Sequence, residues 1–126
     1  MAHSVNVMSK FRFEDLEIWR SAKDLAKELF DLADALEGRK LYRFAEQLRA
    51  SALSMPNNIA EGSGSSSKRE FYQFLNIAKR SIFENANMLI IFYEKGLIEL
   101  ETKDRFLEEL DKLSRKTSAF QRKLSR

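Results

Sequence analysis

Cysteine is absent from this chain of 126 residues, and histidine and proline occur once each. Without cysteine there is no disulfide framework and no thiolate metal site, which fits a reducing cytoplasmic compartment. The lone histidine, His3, supports neither a histidine-rich zinc site nor a histidine general base. A di-iron carboxylate bundle needs a Glu-x-x-His pair on each of two helices and is excluded on the same ground. The serines between Gly62 and Ser67 have no base partner for nucleophilic chemistry. We therefore expect no enzyme activity, no catalytic residue, no metal and no cofactor. Long hydrophobic runs are missing too. The densest, Met88 to Phe92, falls far short of the roughly 20 residues of a spanning helix, so no membrane partner is expected. The opening Met1-Ala2-His3-Ser4 lacks the basic stretch and apolar core of a signal peptide. These features describe a soluble cytoplasmic protein.

The length suits one domain spanning 1–126 with a single modest core, the first ten residues being disordered. No segment alternates as strands do, and the few breakers fall between long stretches of helical period. The first helix is expected from Glu14 to Glu37, closed by Gly38, with Ile18, Ala22, Leu25, Leu29, Leu32 and Leu36 as its apolar seam. A second starts near Leu41 and carries Ala45, Leu48, Ala52, Met55 and Ile59. Pro56 lies within it and has no amide hydrogen for the carbonyl of Ala52, so that helix must kink or restart near Met55. Gly62 to Ser67 reads as a flexible polar linker. Ser67, with Glu70 three residues on, has the spacing of a capping box for a third helix from Lys68 to about Lys95, followed by Gly96.

That third helix has a seam at Phe71, Leu75, Ala78, Ile82, Asn85, Leu89 and Phe92. Its further apolar residues, Phe74, Phe83, Ala86, Ile90 and Tyr93, are a surplus suited to meeting another subunit. A fourth helix begins between Leu100 and Thr102 and carries Phe106, Leu110, Leu113, Thr117, Phe120 and Leu124. The fold class is all-α, an antiparallel up-down-up-down four-helix bundle with a proline kink in its second helix.

The net charge of +3 is unevenly spread. From Asp111 onward, six cations face one acid, a surplus of five that leaves the rest of the chain near −2. Candidate nucleic-acid contacts are Arg115, Lys116, Arg122, Lys123 and Arg126 on the last helix, Arg39, Lys40 and Arg43 at the first turn, and Lys68 and Arg69 after the linker. The aromatic residues sit mostly at core spacing and make no stacking platform, so binding by charge and shape is expected, with little base readout. Against this, a basic last helix is also an ordinary solvated face favoured by the helix dipole. The loop from Gly62 to Lys68 lacks P-loop spacing and follows a helix, so it is no phosphate cradle.

A second candidate group is polar: Gln47, Arg49, Asn58, Glu61, Ser81 and Glu84. Asn58 and Glu61 share a helical face. They are expected to satisfy backbone groups released by Pro56, or to pair with Arg49 and Ser81 in a buried network.

Phe13, Leu16 and Trp19, the run Gln47-Leu48-Arg49-Ala50, the run Ser54-Met55-Pro56-Asn57-Asn58-Ile59-Ala60-Glu61-Gly62, and Phe71, Leu75, Ile77, Ala78, Ser81 and Glu84 together resemble the 23S ribosomal RNA intervening-sequence proteins, also called four-helix bundle proteins. Gln47, Arg49, Pro56, Asn58, Glu61, Gly62, Ser81 and Glu84 are the signature positions of that resemblance. Arg80 stands where the family usually has glycine. The resemblance implies an antiparallel bundle that assembles as a homopentamer. Retroelement accessory proteins of similar fold bind nucleic acid and a reverse transcriptase through basic surfaces. Five copies would carry about +15, enough to attract RNA or DNA at low salt. A non-enzymatic, RNA-binding oligomer is thus the expected function, and a protein-interaction scaffold is the alternative.

Overall fold

The computed structural model describes residues 10–125. His3 and Arg126 lie outside them, as does the expected disorder of the first ten residues except at Lys10, whose Nζ is 2.8 Å from the Asp15 carboxylate. Four helices form, α1 (Glu17–Gly38), α2 (Tyr42–Ser63), α3 (Lys68–Glu94) and α4 (Leu100–Leu124), with no strand among the described residues. α1 packs on α2, α2 on α3 and α3 on α4, while α1 meets α4 more lightly. Among the described residues no helix is long and apolar enough to cross a membrane.

The apolar period becomes the core almost residue for residue. Each helix buries its seam, from Ile18 to Leu36, Ala45 to Ile59, Phe71 to Phe92 and Phe106 to Leu113, and these side chains form one cluster. Leu32 is the exception on α1, half-buried at the core's edge, while Ala26 and Ala33 take buried places beside the seam. Three polar residues sit fully inside: Asn85 occupies a seam position on α3, and Thr117 and Gln121 lie on α4.

Helix ends depart from expectation in three places. α1 starts at Glu17 because Arg12–Asp15 forms a separate 3-10 turn, its Glu14 carboxylate accepting from the amide of Phe11 at 2.9 Å. Gly38 does not close α1 but belongs to its last turn. The left-handed residue is Lys40, at φ 67°, and the amides of Lys40 and Leu41 donate to the carbonyls of Glu37 and Leu36. This is the Schellman pattern, with half-buried Leu41 near Leu36 supplying its apolar contact. Gly96, at φ 76°, closes α3 in the same way, Leu97 donating to Phe92 at 2.8 Å. The third departure is at Gly62 and Ser63. Both are buried in the last turn of α2, which leaves a short turn over 64–67 as the connection. Ser63 and Ser65 donate to the carbonyls of Ala60 and Gly62, tying that end down. Ser67 caps α3, accepting from the Glu70 amide at 3.0 Å.

α2 does not restart at Pro56. The helix is continuous, and Pro56 is buried within it.

Candidate nucleic-acid interface

The basic residues fall into two groups set apart by the length of the helices. Arg39, Lys40 and Arg43 flank the α1–α2 turn, where Arg39 donates to the carbonyl of Leu97 at 2.9 Å and so lies beside the α3–α4 connection. Lys68 and Arg69 open α3 and border a groove of about 580 Å³ with Tyr72, Gln73, Asn76, Leu124 and Ser125. α4 has 25 residues, so these two ends are about 37 Å apart.

At the groove's end, Arg122 and Lys123 are exposed in the last turn of α4, where cations also complement the helix dipole. Arg115 and Lys116 are already engaged. Arg115 pairs with Asp111 at 2.9 Å one turn back, and Lys116 reaches Glu17 of α1 at 3.1 Å. Both pairs are exposed, so they compete weakly with an incoming phosphate. Among the described residues no carboxylate lines the groove beside Lys68 and Arg69.

The groove continues along α3. Asn76 also borders a second open space of about 660 Å³, with Lys79, Arg80, Phe83, Ser114 and Ser118. Its floor is held by Gln121, which donates to the carbonyl of Tyr72 at 3.1 Å and to Asn76 Oδ1 at 2.9 Å. Lys79 donates to the hydroxyl of Ser118 at 3.2 Å. The aromatic residues are expected mostly at core spacing, and two that border this groove are exposed, Tyr72 at 37% and Phe83 at 69%. The sequence reading assigns Phe83 to subunit contact and gives Tyr72 no role. The signal was their spacing with Asn76 and Lys79, which puts all four on one side of α3.

The polar group does not come together as expected. Arg49 leaves the α2–α3 side and bridges to α1, its guanidinium 2.6 Å from Asp34 and 2.7 Å from Glu37. These hydrogen bonds, Asp34 first, hold its pKa above the ordinary value. Gln47, Glu61 and Glu84 are exposed. What remains is a chain of short residues between α2 and α3. Asn58 donates to the carbonyl and hydroxyl of Ser54, at 2.8 and 2.9 Å, and the Ser54 and Ser81 hydroxyls lie 2.7 Å apart. One turn further in, buried Asn85 donates to the carbonyls of Ser51 and Ser81 at 3.1 and 2.8 Å. Asn58 thus serves the carbonyl of Ser54, not that of Ala52 which Pro56 leaves. Ser51 Oγ and Asn85 Oδ1 are buried without a partner among the described residues. This chain is structural glue between two helices, with no nucleophile–base pair in it.

Among the described residues no three His, Cys, Asp or Glu side chains gather where a metal ion could be held. Helices, core and surface together define a small all-α four-helix protein with basic ends. The family model for the 23S rRNA-intervening sequence protein matches residues 14–119, and the chain belongs to that family. Arg122 and Lys123 lie beyond the matched residues. A search of curated proteins found no match.

Proposed function

We propose that this protein is a non-enzymatic, oligomeric, single-domain bundle of the cytoplasm that binds structured RNA through its basic surfaces. The observation that carries this reading is the groove where α3 begins and α4 ends, which brings Lys68 and Arg69 beside the last turn of α4 with no lining carboxylate among the described residues. Cations held on a rigid scaffold meet phosphates at little entropic cost, and repetition in an assembly adds their fields. The family's name, tied to ribosomal RNA, points to the same class of ligand.

The antiparallel up-down-up-down arrangement is part of this proposal. It is supported by paired residues that run in opposite senses along neighbouring helices: Glu17 with Lys116 and Glu28 with Arg105 for α1 and α4, Ser54 with Ser81 and Ser51 with Asn85 for α2 and α3. A bend of α2 at Pro56 belongs here too, on the steric ground that the ring crowds the carbonyl of Ala52. Assembly of identical copies, five in number by the family resemblance, is supported by Leu53, Ile77 and Ile91, apolar side chains left exposed on α2 and α3. Those same side chains favour the second reading, a scaffold that holds a protein partner and binds no nucleic acid.

Because Arg115 and Lys116 are already paired, the sharper test reverses Lys68, Arg69, Arg122 and Lys123 to Glu together. A gel-shift titration with a 23S ribosomal RNA fragment should show binding lost in this variant while circular dichroism still reports a helical protein. Binding retained by the variant would remove these residues and favour the scaffold.

A further inference from the structure

Tyr72, Asn76, Lys79 and Phe83 are spaced four, three and four residues apart, so they stack along one face of α3 over three turns, about 16 Å. This face is not core. It forms one wall of the two open spaces that meet at Asn76, and Ser114, Ser118 and Leu124 of α4, with Ser125 at its end, line the other. Lys68, Arg69, Lys79 and Arg80 supply the charge, and among the described residues no Asp or Glu lines either part of the groove. Arg80 makes no ion pair among the described residues. The Gln121 bond to Asn76 Oδ1 leaves the amide NH2 of Asn76 as a donor.

We propose that this α3–α4 groove is a track for an unpaired RNA segment, with bases stacking on Tyr72 and Phe83 and phosphates meeting Lys68, Arg69, Lys79 and Arg80. Single-stranded nucleic acid is held by this combination of cations along the backbone and exposed rings beneath the bases. A duplex is not, because its bases are already stacked and its rings are out of reach. At roughly 3.4 Å per stacked nucleotide, 16 Å takes about five nucleotides, the scale of a loop or bulge in a folded RNA. Charge complementarity selects RNA over an apolar helix as the occupant, since an apolar partner would strand four cations around the two rings. The track rests on the RNA-binding reading and goes beyond it by naming unpaired nucleotides and the rings that hold them.

The test is fluorescence anisotropy with a labelled oligoadenylate about twelve nucleotides long and a duplex RNA of the same length. Phe83 is well exposed, so Phe83→Ala leaves the fold intact; Tyr72→Leu, checked by thermal melting, removes the second ring but keeps its bulk. Each should weaken oligoadenylate binding by about five- to one-hundred-fold, leave the salt slope unchanged and leave duplex binding within about two-fold. Lys79→Glu with Arg80→Glu should weaken the single strand and flatten its salt slope. Oligoadenylate binding unchanged in both ring variants would overturn the track while leaving the broader RNA reading standing. No binding of either RNA by the unaltered protein would overturn both. Unchanged RNA binding by Phe83→Ala with a fall in particle mass by light scattering would make this face a subunit contact and overturn the track.

Discussion

Gly62 lies against Phe71 and Phe74 so closely that a β-carbon on it would sit 2.7 Å from the Phe71 ring and 2.7 Å from Cβ of Phe74. The last turn of α2 and the first of α3 meet at this point, which is why a residue with no side chain ends the signature run. In an open helix, alanine at such a site would gain about 1 kcal/mol in propensity. Here the contact reverses the sign. Phe71 is buried and Phe74 Cβ is anchored to its backbone, so Gly62→Ala should destabilise by about 1–3 kcal/mol net, read as a fall in the thermal midpoint.

Gly38 and Lys40 are each in the place the other would suit. Gly38 is helical with nothing within 4 Å of where a β-carbon would go, whereas Lys40 holds a left-handed φ of 67°. Gly38→Ala and Lys40→Gly should therefore each stabilise, by about 0.5–1 kcal/mol, the first through helix propensity and the second by relieving backbone strain. Chemical denaturation midpoints of the two variants and their double check this; a loss of stability for Lys40→Gly would contradict the strain.

Asn85 crosses from α3 to the Ser51 carbonyl of α2 inside the core, and Asn58 extends the chain through Ser54 to Ser81 at its edge. Removing a buried donor that spans two helices should cost about 1–3 kcal/mol, so Asn85→Ala should lower the melting midpoint more than Asn58→Ala, whose half-buried bonds are worth about 1 kcal/mol. Equal effects would mean the inner contact adds nothing beyond the outer one.

Lys10 and Asp15 clamp the ends of the segment preceding α1. The hydrogen bond from Lys10, then its charge, lowers the Asp15 pKa below 3.8 and raises that of Lys10 above 10.5. A depressed carboxylate contributes stability above its unfolded pKa and loses it as pH falls through the folded value; the raised lysine contributes below its unfolded pKa and loses it as pH rises through the folded one. The clamp is thus in full effect between the two ordinary values, 3.8 and 10.5, and is lost only as pH falls below the first or rises above the second. An NMR titration of the Asp15 carboxylate should show the lowered pKa return toward 3.8 in Lys10→Ala. Because the pair is exposed, added salt should do the same in part.

The seams were legible because burial on one side of a helix imposes a period that sequence displays directly, as from Ile18 to Leu36. Composition misled at Gly62 and Ser63. A run of glycine and serine reads as linker, yet tertiary contact with Phe71 and serine bonds to the preceding carbonyls keep those two residues helical. Gly38 misled for a related reason. The closure runs through the backbone bonds from Lys40 to Glu37 and from Leu41 to Leu36, with Leu41 packed against the core, so the left-handed position falls on Lys40.

The site was less legible than the fold. Sequence places Arg49 near Asn58 along α2, but not which neighbouring helix supplies its acid, and Asp34 and Glu37 of α1 do so. The basic candidates were legible as charges, not as neighbours. Lys68 and Leu124 are far apart in sequence and border one groove, while Arg39 lies at the other end of α4. Tyr72 and Phe83 were harder still, because exposure depends on where α4 lies across α3.

RNA affinity as a function of salt tests the central claim most directly. Anisotropy of a labelled 23S ribosomal RNA fragment would be titrated with the protein, and with its Lys68→Glu, Arg69→Glu, Arg122→Glu, Lys123→Glu variant, across a salt series. Saturable binding is predicted, with a log–log slope that becomes shallower by about two to four in the variant as its phosphate contacts are lost. No binding by the unaltered protein at about 50 mM salt, or an identical slope in the variant, would contradict the account.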